Sequence, residues 1–132
     1  MSTSPAFRAV EPLRKRLRQR YRELREIIRD ELIEADAERY SDLAELVHDL
    51  GDESVADLLA DVNLAVIDHH IAEVRDIEAA LARIGGGTYG ECSDCGEAID
   101  AARLEAYPTA KRCHRCQSRR EQSHVQPGRP RL

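Results

Sequence analysis

Apolar residues recur through the first third of the chain at steps of mostly three and four: Leu13, Leu17, Leu24, Ile28, Leu32, Ala35, Leu43, Leu46 and Val47, with arginines and acids between them. That spacing lays side chains along one face of a helix. Arg14 to Arg29 contains no Gly or Pro, and Glu11-Pro12 offers proline for a first turn, where its missing N–H loses no partner. The pattern predicts a helix to about His48, roughly 38 residues or ~57 Å long. A second series, Val55, Leu59, Val62, Val66, Ile71, Val74, Ile77, Leu81 and Ile84, predicts another of about 31 residues, or ~46 Å.

Between the two lies Asp49-Leu50-Gly51-Asp52-Glu53-Ser54, where Gly51 lets the backbone turn and Asp52 or Ser54 can cap the second helix. Two long amphipathic helices joined by so short a loop run antiparallel and seal their apolar stripes against each other. The expected fold is mainly α: a long antiparallel coiled-coil hairpin over residues 6–84 with its tip near 49–54. Gly85-Gly86-Gly87 then ends the second helix, since three glycines lose too much backbone entropy to remain helical. Residues 85–87 read as a linker, 88–125 as a small module with a short C-terminal helix, and 126–132 as a flexible tail.

Composition agrees with this outline. One Phe, four Tyr and no Trp in 132 residues, with 34% of the chain charged, argue against a compact α/β enzyme built around a wide apolar core. No apolar run approaches the roughly 18 residues of a membrane span, and Met1 to Arg20 has no secretory signal, so a soluble, cytoplasmic protein is expected. Charge is segregated: residues 1–29 carry +6, residues 30–61 carry -11, and residues 92–132 carry +3. An acidic middle suits a basic protein surface or a cation better than a nucleic-acid backbone.

All four cysteines fall in two pairs, Cys92-Ser-Asp-Cys95 and Cys113-His-Arg-Cys116, separated by 17 residues. Two CxxC pairs at this distance mark a tetrahedral zinc site. Four thiolates leave no open coordination position, so one structural zinc is expected and not a catalytic one. The apolar residues Tyr89, Ala98, Ile99, Leu104 and Tyr107 are too few to fold the module unaided, which leaves metal binding to supply its stability. Disulfides are disfavoured in the cytosol, while a redox-sensing role stays open for exposed thiolates. No nucleophile–base pair or phosphate loop points to an enzyme. Asp68-His69-His70 is not a metal site either, because adjacent helix positions diverge by about 100°.

The run Thr88-Tyr-Gly-Glu-Cys92-Ser-Asp-Cys95-Gly-Glu-Ala-Ile99, then Arg103-Leu-Glu-Ala-Tyr-Pro-Thr-Ala110 and Cys113-His-Arg-Cys116, resembles the DksA/TraR family of C4 zinc proteins. With the hairpin ahead of it, the resemblance covers about residues 10–122. It implies a factor of the stringent-response type that inserts a coiled-coil tip into the secondary channel of bacterial RNA polymerase and modulates initiation without reading DNA sequence. The family's tip motif, Asp-x-x-Asp-x-Ala, falls on Asp49, Asp52 and Ser54, so the resemblance implies partner contacts there. From the residues alone, Asp52 equally reads as a helix cap and Asp49 as a solvated acid. Where the best-studied members place cations for guanosine tetraphosphate, this chain has Asp76, Tyr107 and Gln117, which implies weak dependence on that ligand. The hairpin needs no second copy, so a monomer is expected. Two rival functions remain. One is a zinc-ribbon adaptor or nucleic-acid-binding module using Arg14 to Arg29 or the edge formed by Arg112, Arg115, Arg119 and Arg120. The other is a transcript-cleavage factor whose tip acids, Asp49 and Asp52, hold magnesium.

Overall fold

The computed structural model describes residues 10–51 and 53–124. Helix α1 (Val10–Asp49) buries Leu13, Leu17, Leu24, Ile28 and Leu32 as one stripe along its first part. The stripe packs on helix α3 (Ala65–Gly86), which buries Ile67, Ile71, Val74, Ile77 and Ala80. Polar contacts fix the direction of the pair. Tyr21 hydrogen-bonds Glu78 at 2.5 Å, while Glu31, ten residues later on α1, meets His70 at 2.9 Å, eight residues earlier on α3. The helices are therefore antiparallel, and together they form a rod.

The path between them differs from the expected hairpin. Asp36 is extended (φ -168°, ψ 90°) and breaks α1 into residues 10–35 and 37–49. Its carboxylate accepts the backbone N–H of Arg39 at 3.1 Å, so Asp36 serves as N-cap of the second arm. That arm doubles back along the first. His48 Nδ1 lies 2.9 Å from Glu26, and the Arg25 guanidinium donates to the carbonyls of Val47, His48 and Leu50 at 3.2, 2.8 and 2.5 Å. Such carbonyls at a helix end have no partner within the helix, and a cation there also opposes the negative end of the helix dipole.

The chain then enters the one-turn helix α2 (Val55–Leu58), capped by Ser54 Oγ, which accepts from Asp57 N at 2.9 Å. Residues 59–64 are not helical, and α3 follows. The apolar spacing predicted the far end of the rod near 49–54, but Leu50 O accepts from Arg25 and Ser54 donates to Glu78, and the far end is formed by the bend at Asp36 and residues 59–64. The spacing is compatible with either path. The choice is made by tertiary contacts of Arg25 and Glu78, which periodicity does not encode.

At the other end, Gly85 and Gly86 remain helical and only Gly87, at φ 82°, leaves the helix. The N–H of Gly87 and of Thr88 return to the carbonyls of Ile84 and Arg83, closing a left-handed C-cap. The expected glycine linker over 85–87 is thus the last turn and cap of α3. The finger follows directly, with an isolated bridge between Glu91 and Ala98, helix α4 (Ala101–Ala106) and helix α5 (His114–His124). α5 begins inside the second cysteine pair. The expected tail at 126–132 lies outside the described residues, as do residues 6–9 of the expected hairpin.

Candidate metal centre and its seat on the rod

Each cysteine pair makes a tight knuckle. In the first, Cys92 N donates to Glu97 O at 2.7 Å and Gly96 N to Cys92 O at 2.9 Å. Gly90 and Gly96 take φ 88° and 79°, the left-handed region that side chains other than glycine rarely occupy. Cys95 N points at Cys92 Sγ (3.5 Å), and in the second knuckle Cys116 N points at Cys113 Sγ (3.4 Å). The knuckles are tied together by Ser93, whose N–H and hydroxyl both donate to Lys111 O, at 2.8 and 2.7 Å.

The four sulfurs lie within 4.8 Å of one another, and Cys95 Sγ is 3.9 Å from Cys113 Sγ. Zinc–sulfur bonds of about 2.3 Å in a tetrahedron require sulfur–sulfur edges of about 3.8 Å, so the donor set fits zinc. Cys92 and Cys116 are buried, Cys113 is half-buried and Cys95 is exposed. As thiols they titrate unevenly. Burial raises the Cys92 pKa, but the N–H groups of Cys113, Cys95 and Asp94 outweigh it and bring the group down to about 6. The Cys116 thiol, hydrogen-bonded to Cys113 and buried, is pushed up to about 12. Four negative charges this close oppose one another, and a dication removes that opposition. Around the centre, Asp94 accepts from Arg112 Nε at 3.0 Å and lies 3.7 Å from Arg120 Nε. Arg103 Nε donates to Arg112 O at 2.9 Å, tying α4 to the second knuckle.

The finger sits on the base of the rod. Arg16 Nη1 donates to Glu105 O at 2.9 Å and Arg83 Nη2 to Thr109 O at 3.5 Å, while within the finger Tyr89 Oη donates to Pro108 O at 2.8 Å. A cleft of about 310 Å3 at this junction is lined by Arg16, Arg20, Glu73 and Ile77 from the rod and by Tyr107 and Pro108 from the finger. Across it Arg20 grips Glu73 with two bonds of 2.6 and 2.9 Å, and this pairing holds the Glu73 carboxyl below its ordinary range.

The other residues singled out by sequence are scattered. Asp49 is exposed at the end of α1, and Asp52 lies outside the described residues. Ser54, expected to face a partner, is engaged internally: besides capping α2 it donates to Glu78 Oε1 at 2.6 Å. Glu78 Oε2 also accepts from Val55 N and Ala56 N at 3.0 and 3.4 Å. Glu78, Tyr21, Arg25 and Asp36 are the residues that sequence reasoning missed. An acid directly after the core position Ile77, and an Asp three residues ahead of an arm's N3 amide, were the available signals. Of the three positions compared with the alarmone site, Asp76 is exposed, Gln117 bonds Glu121 at 2.8 Å, and Tyr107 is 63% exposed beside Arg103. Tyr107 therefore does not join the finger core. His70 pairs with Glu31, and among the described residues only the four cysteines gather as a metal-binding group. Among the described helices, none is long and apolar enough to cross a membrane.

Comparison with known proteins agrees with the geometry. The model of the prokaryotic dksA/traR C4-type zinc finger matches residues 87–122. The RNA polymerase-binding transcription factor DksA of Caulobacter vibrioides is 36% identical over 72 residues, 54% of this chain and 51% of that one. An uncharacterized 8.2 kDa protein in the gpA 5' region of Escherichia phage P2 is 41% identical over 58 residues, 42% of this chain and 78% of that one. The structure of transcription factor DksA2 from Pseudomonas aeruginosa is 24% identical, with a TM-score of 0.45 and coverage of 86% of this chain and 90% of that one. The chain spans about half the length of curated relatives such as the Caulobacter factor. With four converging cysteines fitted to one structural zinc, the family match over residues 87–122 and a 41% identical relative covered over 78% of its length, the chain belongs to the prokaryotic dksA/traR C4-type zinc finger family.

Proposed function

We propose that this chain is a non-enzymatic transcription regulator that binds bacterial RNA polymerase, with the rod entering the secondary channel and the finger resting at its rim. The supporting observation is a helical rod seated by Arg16 on a finger whose four cysteines converge, in a chain 36% identical over 72 residues to a relative named an RNA polymerase-binding transcription factor. In this reading zinc is structural: Cys92, Cys95, Cys113 and Cys116 fix the angle at which the rod leaves the finger. The acids that would meet cations of the partner lie along residues 30–61, with Asp49 and Asp52 contributing. Asp76, Tyr107 and Gln117 offer no positive charge to a polyphosphate, so guanosine tetraphosphate has little effect. Such a factor acts as a monomer in the cytoplasm and reads no DNA sequence.

The test is binding to core polymerase in competition with a known secondary-channel factor, comparing wild type with Asp49→Asn/Asp52→Asn. Competitive binding with loss of the transcriptional effect in the variant supports the reading, and absence of binding at micromolar concentration overturns it.

A second reading, contact with nucleic acid, draws on one observation. Lys15 and Arg18 are exposed on one face of α1 without an acidic partner among the described residues, and Arg22 on the same face donates to Gln19 alone. Duplex affinity that falls steeply with salt would favour it.

A further inference from the structure

We propose that residues 37–58 form a hinged arm that swings between the folded-back position and an in-line extension of the two-helix rod. Both strands of the rod break at one level. Asp36 lies five residues beyond Glu31, and Leu64 lies six residues before His70, the partner of Glu31. Neither break contains a helix breaker: there is no Gly or Pro from residue 13 to 50, nor from 55 to 84. Breaks in both strands at one height, without a residue that demands them, describe a distal hairpin jackknifed onto its own stem.

The in-line form is written into the same sequence. Carrying the register of Glu31 and His70 outward sets Leu43 opposite Leu58 and Leu46 opposite Val55, with Gly51 in the closing turn. In the folded-back form Leu46 is 53% exposed, so extension gives it an apolar partner. Extension also restores the helical hydrogen bonds missing at Asp36 and across 59–64. Against this, folding back buries Ala44, Val47, Val55, Ala56 and Leu59 and adds two polar latches. Arg25 holds three carbonyls at the end of the arm, and Glu78 with Tyr21 holds the start of α2. Each latch hydrogen bond exchanged for one to water changes stability little, so the latches alone do not lock the arm in place. Opening moves Asp49 from the flank of the rod to its far end, about 20 Å beyond Asp36 for 13 helical residues.

The test is small-angle X-ray scattering of the full zinc-loaded chain with circular dichroism alongside. Asp36→Ala/Glu78→Ala removes the cap of the arm and one latch, releasing it. Ala37→Pro holds the bend, because proline is tolerated in a first helical turn and keeps the preceding residue extended, as Asp36 already is. The released variant is expected to gain about 20 Å in maximum dimension with helical signal kept or raised, and wild type to fall between it and Ala37→Pro. One maximum dimension for all three proteins overturns the inference. So does a released variant that loses helix without lengthening.

Discussion

The rod and the finger solve the same problem by different means. The rod encloses Leu24, Ile28, Leu32, Val74 and Ile77 completely, and its stability comes from apolar burial spread over many turns. Among the described residues the finger buries the side chains of only Tyr89, Ile99 and Leu104 besides two cysteines, so its order depends on one centre that draws four side chains to a point. Stability spread over many turns leaves room for the outer part of the rod to take the second path proposed above, whereas the finger has one arrangement or none.

The largest effect that separates the two regions is metal removal. Chelation of zinc, or Cys116→Ser, is expected to unfold residues 88–124 while leaving the helical signal of residues 10–35 and 65–84 in place, since structural zinc contributes about 10–16 kcal/mol in finger peptides. Amide hydrogen exchange read by region checks this, and simultaneous loss of protection in the rod would erase the distinction. Next in size, Ile28→Ala opens a cavity in a site with no exposure and is expected to cost about 2–5 kcal/mol in denaturant unfolding, with zinc content unchanged.

A smaller effect is expected at the latch. Burial and the bond to Glu78 raise the Tyr21 pKa to about 12 from its ordinary 10. Folding therefore favours the protonated phenol. Its contribution is complete below pH 10 and is lost as pH rises from 10 towards 12. Tyr21→Phe should cost about 1 kcal/mol at neutral pH and flatten the fall in stability over that alkaline window, as read from denaturant midpoints.

The same contrast explains what the sequence made legible. Cys92, Cys95, Cys113 and Cys116 could be assigned because a knuckle is local: three residues of chain fix where each pair of sulfurs points. The packed stripes of α1 and α3 were legible, and Ser54 as a cap, although the helix it caps is the single turn Val55–Leu58 and the helix of about 31 residues expected from Val55 is interrupted at 59–64. The bend at Asp36 was not, because an Asp on an exposed helix face and an Asp capping a new helix look alike until Arg25 and Glu78 are brought against the returning chain. For the same reason Ser54 read as a tip residue although its hydroxyl is held by Glu78, 24 positions away. Tyr107 read as core because it is aromatic, yet it is exposed beside Arg103 while Leu104 of the same short helix is buried. Gly85 and Gly86 stayed helical because α3 is held by its packed stripe past the point where propensity alone would end it.

The central claim, a rod that enters the polymerase channel from a finger at its rim, is tested most directly by photo-crosslinking. A photoreactive residue would be placed at position 49 and, in a second protein, at position 107, each bound to core polymerase and mapped by mass spectrometry. Crosslinks from position 49 to residues lining the secondary channel, with those from position 107 at its entrance, are the predicted result. Crosslinks from both positions to the outer surface of the enzyme, or to nucleic acid, would contradict it.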